Sequence, residues 1–269
     1  MKEIRIMLLG GTKDATEIIK HLKKNYNTRI LTTTTTEYGS KLAKEVGSDE
    51  TIGKALPKQE IKQIIKEKTI DLLIDATHPF AQHITQTSAN IAKETEIRYI
   101  RFERPPLNLE NIDTKNIIYA ESFEKAGEII KNKFKHENIL HFAGANTMEQ
   151  ILENISPERF YPRILKVQDS MEKCEKLKIP KTHIIEMKGT STLEENKELI
   201  DKYNAKVIIT KESGKTGGVI EKIQAANEKN ITVIMIKRPV IKELEKENII
   251  ENIEELDQKL REMNAETGN

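Results

Sequence analysis

The chain has 269 residues, 44 Lys and Arg against 43 Asp and Glu, and a formal net charge of +1. This balance excludes a globally basic nucleic-acid binder, and the single cysteine, Cys174, excludes an internal disulfide framework and a cysteine-based zinc site. Every apolar run is far shorter than the roughly 20 residues of a membrane span, so a cytoplasmic chain with no membrane or nucleic-acid partner is expected, and with no long heptad pattern a monomer.

In chain order, short β-branched runs alternate with amphipathic stretches. Ile4–Leu9 reads as a first strand, followed by Gly10-Gly11-Thr12 and a helix with Ala15, Ile18, Ile19 and Leu22 on one face. Thr28–Thr33 reads as a second strand, then a polar loop, Thr34–Gly39, and a helix carrying Leu42, Ala43 and Val46. A helix opens after Pro57, and Ile70–Ile74 is a nearly all-apolar strand of the kind a parallel sheet buries on both faces. It ends in Asp75-Ala76-Thr77-His78-Pro79-Phe80-Ala81, where Pro79 suits a helix's first turn and Thr77 or His78 its cap. That helix runs to about Glu94, and a strand follows at Arg98–Phe102. Arg104-Pro105-Pro106-Leu107-Asn108 reads as a linker. Further strands are expected at Ile117–Tyr119, Ile139–Phe142, Phe160–Leu165, His183–Met187, Val207–Thr210 and Thr232–Ile236, with a last helix near Ile253–Met263.

Such alternation implies βαβ units and parallel sheets. Ten or so units exceed one ordinary doubly wound sheet, and the Pro-Pro break argues against the rival (β/α)8 barrel. The expectation is therefore an α/β chain of two Rossmann-like lobes with mainly parallel sheets and a cofactor and substrate cleft between them. The lobes span residues 1–104 and 105–240, with a C-terminal helix and tail at 241–269.

Ligands of such sheets sit at the carboxyl ends of the strands, which singles out five loops. Gly10-Gly11-Thr12 lets backbone approach a phosphate at a helix N-terminus, though it matches the dinucleotide fingerprint only in part. Thr35 and Glu37, after the second strand, suit a ribose diol, and no arginine stands there for a 2′-phosphate. Thr77 and His78 form a third group, with His78 a candidate acid or base or else a capping residue. Lys211-Glu212-Ser213-Gly214-Lys215-Thr216 gathers anion-binding groups but lacks the leading glycine of a P-loop, with Ile209 in its place. Phe142–Thr147 is a second glycine-bearing turn. His83 and His141 read as packed residues, and no group has metal-ligand spacing.

Leu8-Leu9-Gly10-Gly11-Thr12, Asp75–Ala81 and Thr210–Gly214 with Arg238-Pro239, in this order, resemble the precorrin-6A and cobalt-precorrin-6A reductases of cobalamin biosynthesis. The resemblance implies reduction of a C=C bond of the macrocycle, from (cobalt-)precorrin-6A to (cobalt-)precorrin-6B, with NADH or NADPH as cofactor. It implies cofactor contacts from Gly10, Gly11, Thr12, Thr35, Glu37, Thr77, Ser213 and Gly214, and catalytic roles for His78, Lys211 and Ser213. A tetrapyrrole rich in carboxylates would be held by Arg101, Arg104, Arg163, Lys215 and Arg238, with Lys166 nearby. Fold alone leaves a Rossmann-like S-adenosylmethionine-dependent methyltransferase or a non-catalytic nucleotide-binding module as alternatives.

Overall fold

The structure, a computed structural model, describes residues 3–187, 189–214 and 217–267. The chain divides into two compact units, Met1–Pro105 with Pro239–Asn269, and Pro106–Arg238.

The first unit runs β1 (Ile4–Leu9), α1 (Lys13–Asn25), β2 (Thr28–Thr33), α2 (Glu37–Glu45), β3 (Glu50–Ile52), α3 (Lys58–Glu67), β4 (Leu72–Asp75), α4 (Gln82–Thr95) and β5 (Arg98–Phe102). The chain returns to it with β12 (Ile249–Ile250) and α10 (Ile253–Thr267). Its sheet is parallel and six-stranded, in the order β12-β5-β4-β1-β2-β3. Alternation along the strands splits the core into two layers. Ile6, Leu8, Ile30, Ile74 and Ile100 pack on one face with Ile18, Ile19 and Leu22 of α1 and Leu256 and Leu260 of α10. Met7, Leu9, Leu31, Leu73 and Tyr99 pack on the other with Ile61 and Ile65 of α3 and Ala89 and Ile91 of α4. The strand and helix of residues 249–267, in the stretch set apart in the sequence reading, thus belong to this sheet: Ile249 and Ile250 extend the ladder beside Arg101 and Phe102.

The second unit repeats the design with β6 (Ile117–Ala120), α5 (Phe123–Lys133), β7 (Asn138–His141), α6 (Met148–Leu152), β8 (Phe160–Ile164), α7 (Gln168–Lys176), β9 (Ile185–Glu186), α8 (Leu193–Lys202), β10 (Ala205–Lys211), α9 (Val219–Glu228) and β11 (Thr232–Ile236). Its strand order is β6-β11-β10-β7-β8-β9, again parallel. Leu107, within the expected linker, and Leu109 and Ile112 just past it pack against Val219, Ile223 and Met235.

In both sheets the order reverses, between β1 and β4 in the first and between β7 and β10 in the second. At such a switch point adjacent strands send their chains to opposite faces and leave a crevice at the carboxyl edge. The Gly10–Thr12 and Asp75–Ala81 loops occupy the first switch point. Phe142–Thr147 and the segment after Lys211 occupy the second. Two open sheets replace the barrel alternative. No helix among the described residues is long and apolar enough to cross a membrane.

Candidate active site

At the first switch point the two glycines differ in their physical roles. A Cβ on Gly10 would lie 3.1 Å from Thr32 Cγ2, 3.2 Å from Leu8 Cδ2 and 3.3 Å from Ala15 Cβ, so Gly10 lets α1 approach the sheet. Gly11 has φ +99°, and a Cβ there would meet no atom within 4 Å. Glycine is required here by its backbone, and the space over it is open. Thr12 caps α1: its Oγ1 accepts from Ala15 N at 3.1 Å and donates to the Ala76 carbonyl at 2.8 Å. The free N–H groups of the α1 first turn lie beside that space. Asp14 in that turn is ion-paired with Arg104, which offsets a charge that would repel an anion. The turn therefore fits a pyrophosphate.

After β2, Thr34 is buried and its Oγ1 donates to Thr36 O at 2.8 Å. Thr36 caps α2 by accepting from Gly39 N at 3.1 Å. Thr35 and Glu37 are exposed, Glu37 in the first turn of α2, and Tyr38 beside it is 71% exposed.

The Asp75–Ala81 loop departs from the sequence expectation. Helix α4 begins at Gln82 after Ala81, with no side-chain cap, rather than at Pro79. Thr77 and His78 do not cap it because the turn is organised upstream, by Asp75. The Asp75 carboxylate is fully buried. Its Oδ1 accepts from Thr77 N at 3.0 Å, Thr77 Oγ1 at 2.6 Å and Arg101 Nη1 at 2.8 Å, and its Oδ2 accepts from the Tyr99 hydroxyl at 3.2 Å. Burial, reinforced by the Asp75 charge, pushes the Tyr99 phenol well above its ordinary pKa, so it donates at any working pH. His78 is half-buried, and its Nδ1 accepts from Phe80 N at 3.2 Å. This sets the neutral tautomer with its proton on Nε2.

Arg101 is the main correction to the site reading: its side chain is 1% exposed and bonded to Asp75, with no surface for a substrate carboxylate. Arg104 is bound to Asp14, and Lys166 reaches Glu186 at 2.8 Å on the exterior.

In the second unit three cations lie at or after the carboxyl ends of β8 and β10, Arg163 and Lys211 half-buried and Lys222 buried. Arg163 Nη1 donates to Ser191 Oγ at 2.5 Å, and the guanidinium carbon lies 4.7 Å from the Phe142 ring centroid. Burial lowers its pKa. Burial likewise pulls Lys211 down to about 8, its Nζ lying 5.6 Å from the Phe123 ring centroid. Lys222 in α9 is 2% exposed and donates to Gly217 O at 2.8 Å. Burial first, and Arg163 second, lower its pKa to about 7. Glu195 faces Arg163 and Glu221 faces Lys222, each carboxylate partly countering the effect of burial.

Ser213 is buried, and Gly217 must be glycine because a Cβ there would collide with Ser213 Oγ. Gly214 has φ +71°. Glu212 accepts from Leu107 N at 3.1 Å and Gly214 N at 3.2 Å, and is ion-paired with Arg238. Arg238 is thereby committed within the protein. Lys215 lies outside the described residues.

Of the histidines read as packed, His141 is fully buried. It makes Nε2 contacts of 3.2 Å to Gly144 O and 3.0 Å to Thr147 Oγ1, and burial pulls its pKa down to about 3. His83 is instead exposed, on the outer side of α4. Sequence reasoning missed Asp75 as an organiser and Lys222. A carboxylate closing an all-apolar strand signals the first, since a buried charge demands a partner. Lys222 sits in an ordinary amphipathic pattern and leaves no such signal.

Comparison with known proteins agrees with this geometry. A family model described as precorrin-6x reductase CbiJ/CobK matches residues 5–261. A cobalt-precorrin-6A reductase of Methanocaldococcus jannaschii is 41% identical, over 88% of this chain and 92% of its own. One of Methanothermobacter thermautotrophicus is 37% identical, over 95% and 83%. A solved structure of CobK precorrin-6A reductase superimposes with a TM-score of 0.75 at 17% identity, covering 96% of this chain and 97% of its own, and so shares the fold. A parallel two-unit architecture, an open glycine turn at a switch point and matches of this length have one common explanation: the chain belongs to the precorrin-6x reductase family.

Proposed function

We propose that this chain is a cobalt-precorrin-6A reductase of cobalamin biosynthesis that uses NADH in preference to NADPH. It is an oxidoreductase acting on one C=C bond of the macrocycle. The observation that carries the proposal is the meeting, at one switch point, of the open Gly11 turn with the turn that presents His78. The nicotinamide supplies the hydride when bound.

The protein's tasks are to bind and to orient. The Gly11 turn and the first N–H groups of α1 hold the pyrophosphate. Glu37, exposed in the first turn of α2, accepts hydrogen bonds from the ribose hydroxyls and would repel a 2′-phosphate. Thr35 and Thr77 line the same carboxyl edge. In the second unit Lys211 and Arg163 offer charge to the carboxylate arms of the tetrapyrrole. The His78 Nε2–H donates a hydrogen bond that orients the macrocycle, and the proton that accompanies the hydride comes from solvent.

The test is spectroscopic. Purified protein is mixed with precorrin-6A or its cobalt form, and loss of reduced-nicotinamide absorbance is followed with NADH and NADPH in parallel. Oxidation that requires the tetrapyrrole and is faster with NADH is expected. Oxidation faster with NADPH overturns the role of Glu37, and folded protein that oxidises neither cofactor overturns the activity.

A further inference from the structure

We infer that Asp75 and Arg101 form a buried positioning pair that holds the glycine turn and the His78 turn in the arrangement that binds the cofactor. This inference rests on the nicotinamide site proposed above.

Both side chains lie beneath the carboxyl edge, Asp75 with no exposed surface and Arg101 with 1%, so neither touches a ligand. Their hydrogen bonds nevertheless converge on the segment that does. Asp75 Oδ1 fixes both the amide and the hydroxyl of Thr77, and Arg101 Nη1 reaches the same hydroxyl at 3.1 Å. Between these two residues the Ala76 carbonyl accepts from Thr12 Oγ1 at 2.8 Å, and Ala76 N donates to Leu9 O at 2.9 Å. Thr12 follows Gly11 directly and caps α1. One carboxylate thus fixes residues 75–77, and residue 76 fixes the residue after the open glycine.

Tyr99 completes the arrangement by donating to Asp75 Oδ2 from β5, the strand that also carries Arg101. A buried ion pair is weak evidence for stability, since well-packed apolar side chains of equal volume often serve as well or better. An apolar pair could not aim an amide and a hydroxyl. What the charges add here is direction.

The experiment measures dissociation constants for NADH and NADPH by fluorescence titration of the full chain, with KM, kcat and melting temperature alongside. Arg101→Lys keeps the charge and loses the planar fork. It is expected to weaken cofactor binding about tenfold and raise KM, leaving kcat at saturation within about threefold. Tyr99→Phe, also buried, is expected to weaken binding about threefold. Ile61→Val, in the core under α3, is the control, expected to lower the melting temperature without changing affinity.

Wild-type affinity in folded Arg101→Lys and Tyr99→Phe overturns the inference. So does an equal loss of affinity in Ile61→Val. If Arg101→Lys does not fold, Tyr99→Phe decides alone. If the unaltered protein binds neither nicotinamide, the proposed site fails and the inference fails with it, a result distinct from tight binding that the variants leave unchanged.

Discussion

Alanine at Gly10 and at Gly11 separates two functions that the sequence writes as one dipeptide. At Gly11 the new Cβ meets no atom within 4 Å, so the protein suffers no clash. The cost is conformational: holding an L-residue at φ +99° costs about 1–2 kcal/mol, partly offset by about 0.4–1 kcal/mol from a less flexible unfolded chain. A net loss near 1 kcal/mol lowers Tm by about 3 °C for a chain of this size. At Gly10 three side-chain atoms at 3.1–3.3 Å must give way, an overpacking cost of about 1–3 kcal/mol, yet nothing enters the open space. Gly10→Ala is therefore expected to be the less stable variant and Gly11→Ala the weaker binder, by at least tenfold, or about 1.4 kcal/mol. Thermal melts and fluorescence titration with NADH check both halves. Gly11→Ala that binds as wild type, or Gly10→Ala that loses as much affinity as Gly11→Ala, refutes the division of labour.

Three further outcomes are expected. His78→Ala should lower kcat by about 10²-fold if the Nε2–H donor orients the macrocycle, and a lower melting temperature with normal turnover of the folded protein would instead mark a turn-stabilising residue. Glu37→Lys should shift the NADPH-to-NADH ratio of kcat/KM upward by at least tenfold, and an unchanged ratio removes Glu37 from the ribose site. His141 has its folded pKa pulled from 6.5 to about 3 by burial, so the unfolded chain takes up a proton that the folded chain refuses. Stability should then fall as pH drops from about 6.5 towards 3, by up to about 1.4 kcal/mol per pH unit from this one group. His141→Gln keeps a donor for Gly144 O and does not titrate, so urea unfolding between pH 6 and 4 should show a shallower loss. Parallel curves would contradict this.

Much of the fold was legible because parallel strands buried on both faces must be apolar throughout. Leu72–Ile74 and Val233–Ile236 follow that rule, whereas Thr28–Thr33 was read from its β-branched residues. The missed strands are short and lie at sheet edges: β3 has three residues, one of them Glu50, and β12 has two. Two paired residues carry no periodicity. The start of α4 was misplaced because Pro79 satisfies the statistics of a first turn, while the turn here is set by side-chain bonds to Asp75, a tertiary effect. The glycine turn, Glu37 and His78 were singled out because strand-to-helix loops are where ligands sit. Arg101 was assigned to a ligand because charge in sequence looks like exposed charge. Only the register of β5 beside β4, which pairs Arg101 with Asp75, shows that the partner is internal.

The return of the chain to its first sheet has a consequence for synthesis. Strand β5 pairs with β12, and the whole of Pro106–Arg238 is translated between them. At roughly 5–20 residues per second, the N-terminal sheet waits several seconds on the ribosome with β5 as a bare edge. The face that α10 covers with Leu256 and Leu260 stays uncovered as long. Unpaired edges of this kind recruit other strands. A nascent chain of this topology therefore completes its second unit before its first, and a release at residue 238 would yield one finished sheet and one unfinished one. Such a fragment should aggregate through the earlier-made half.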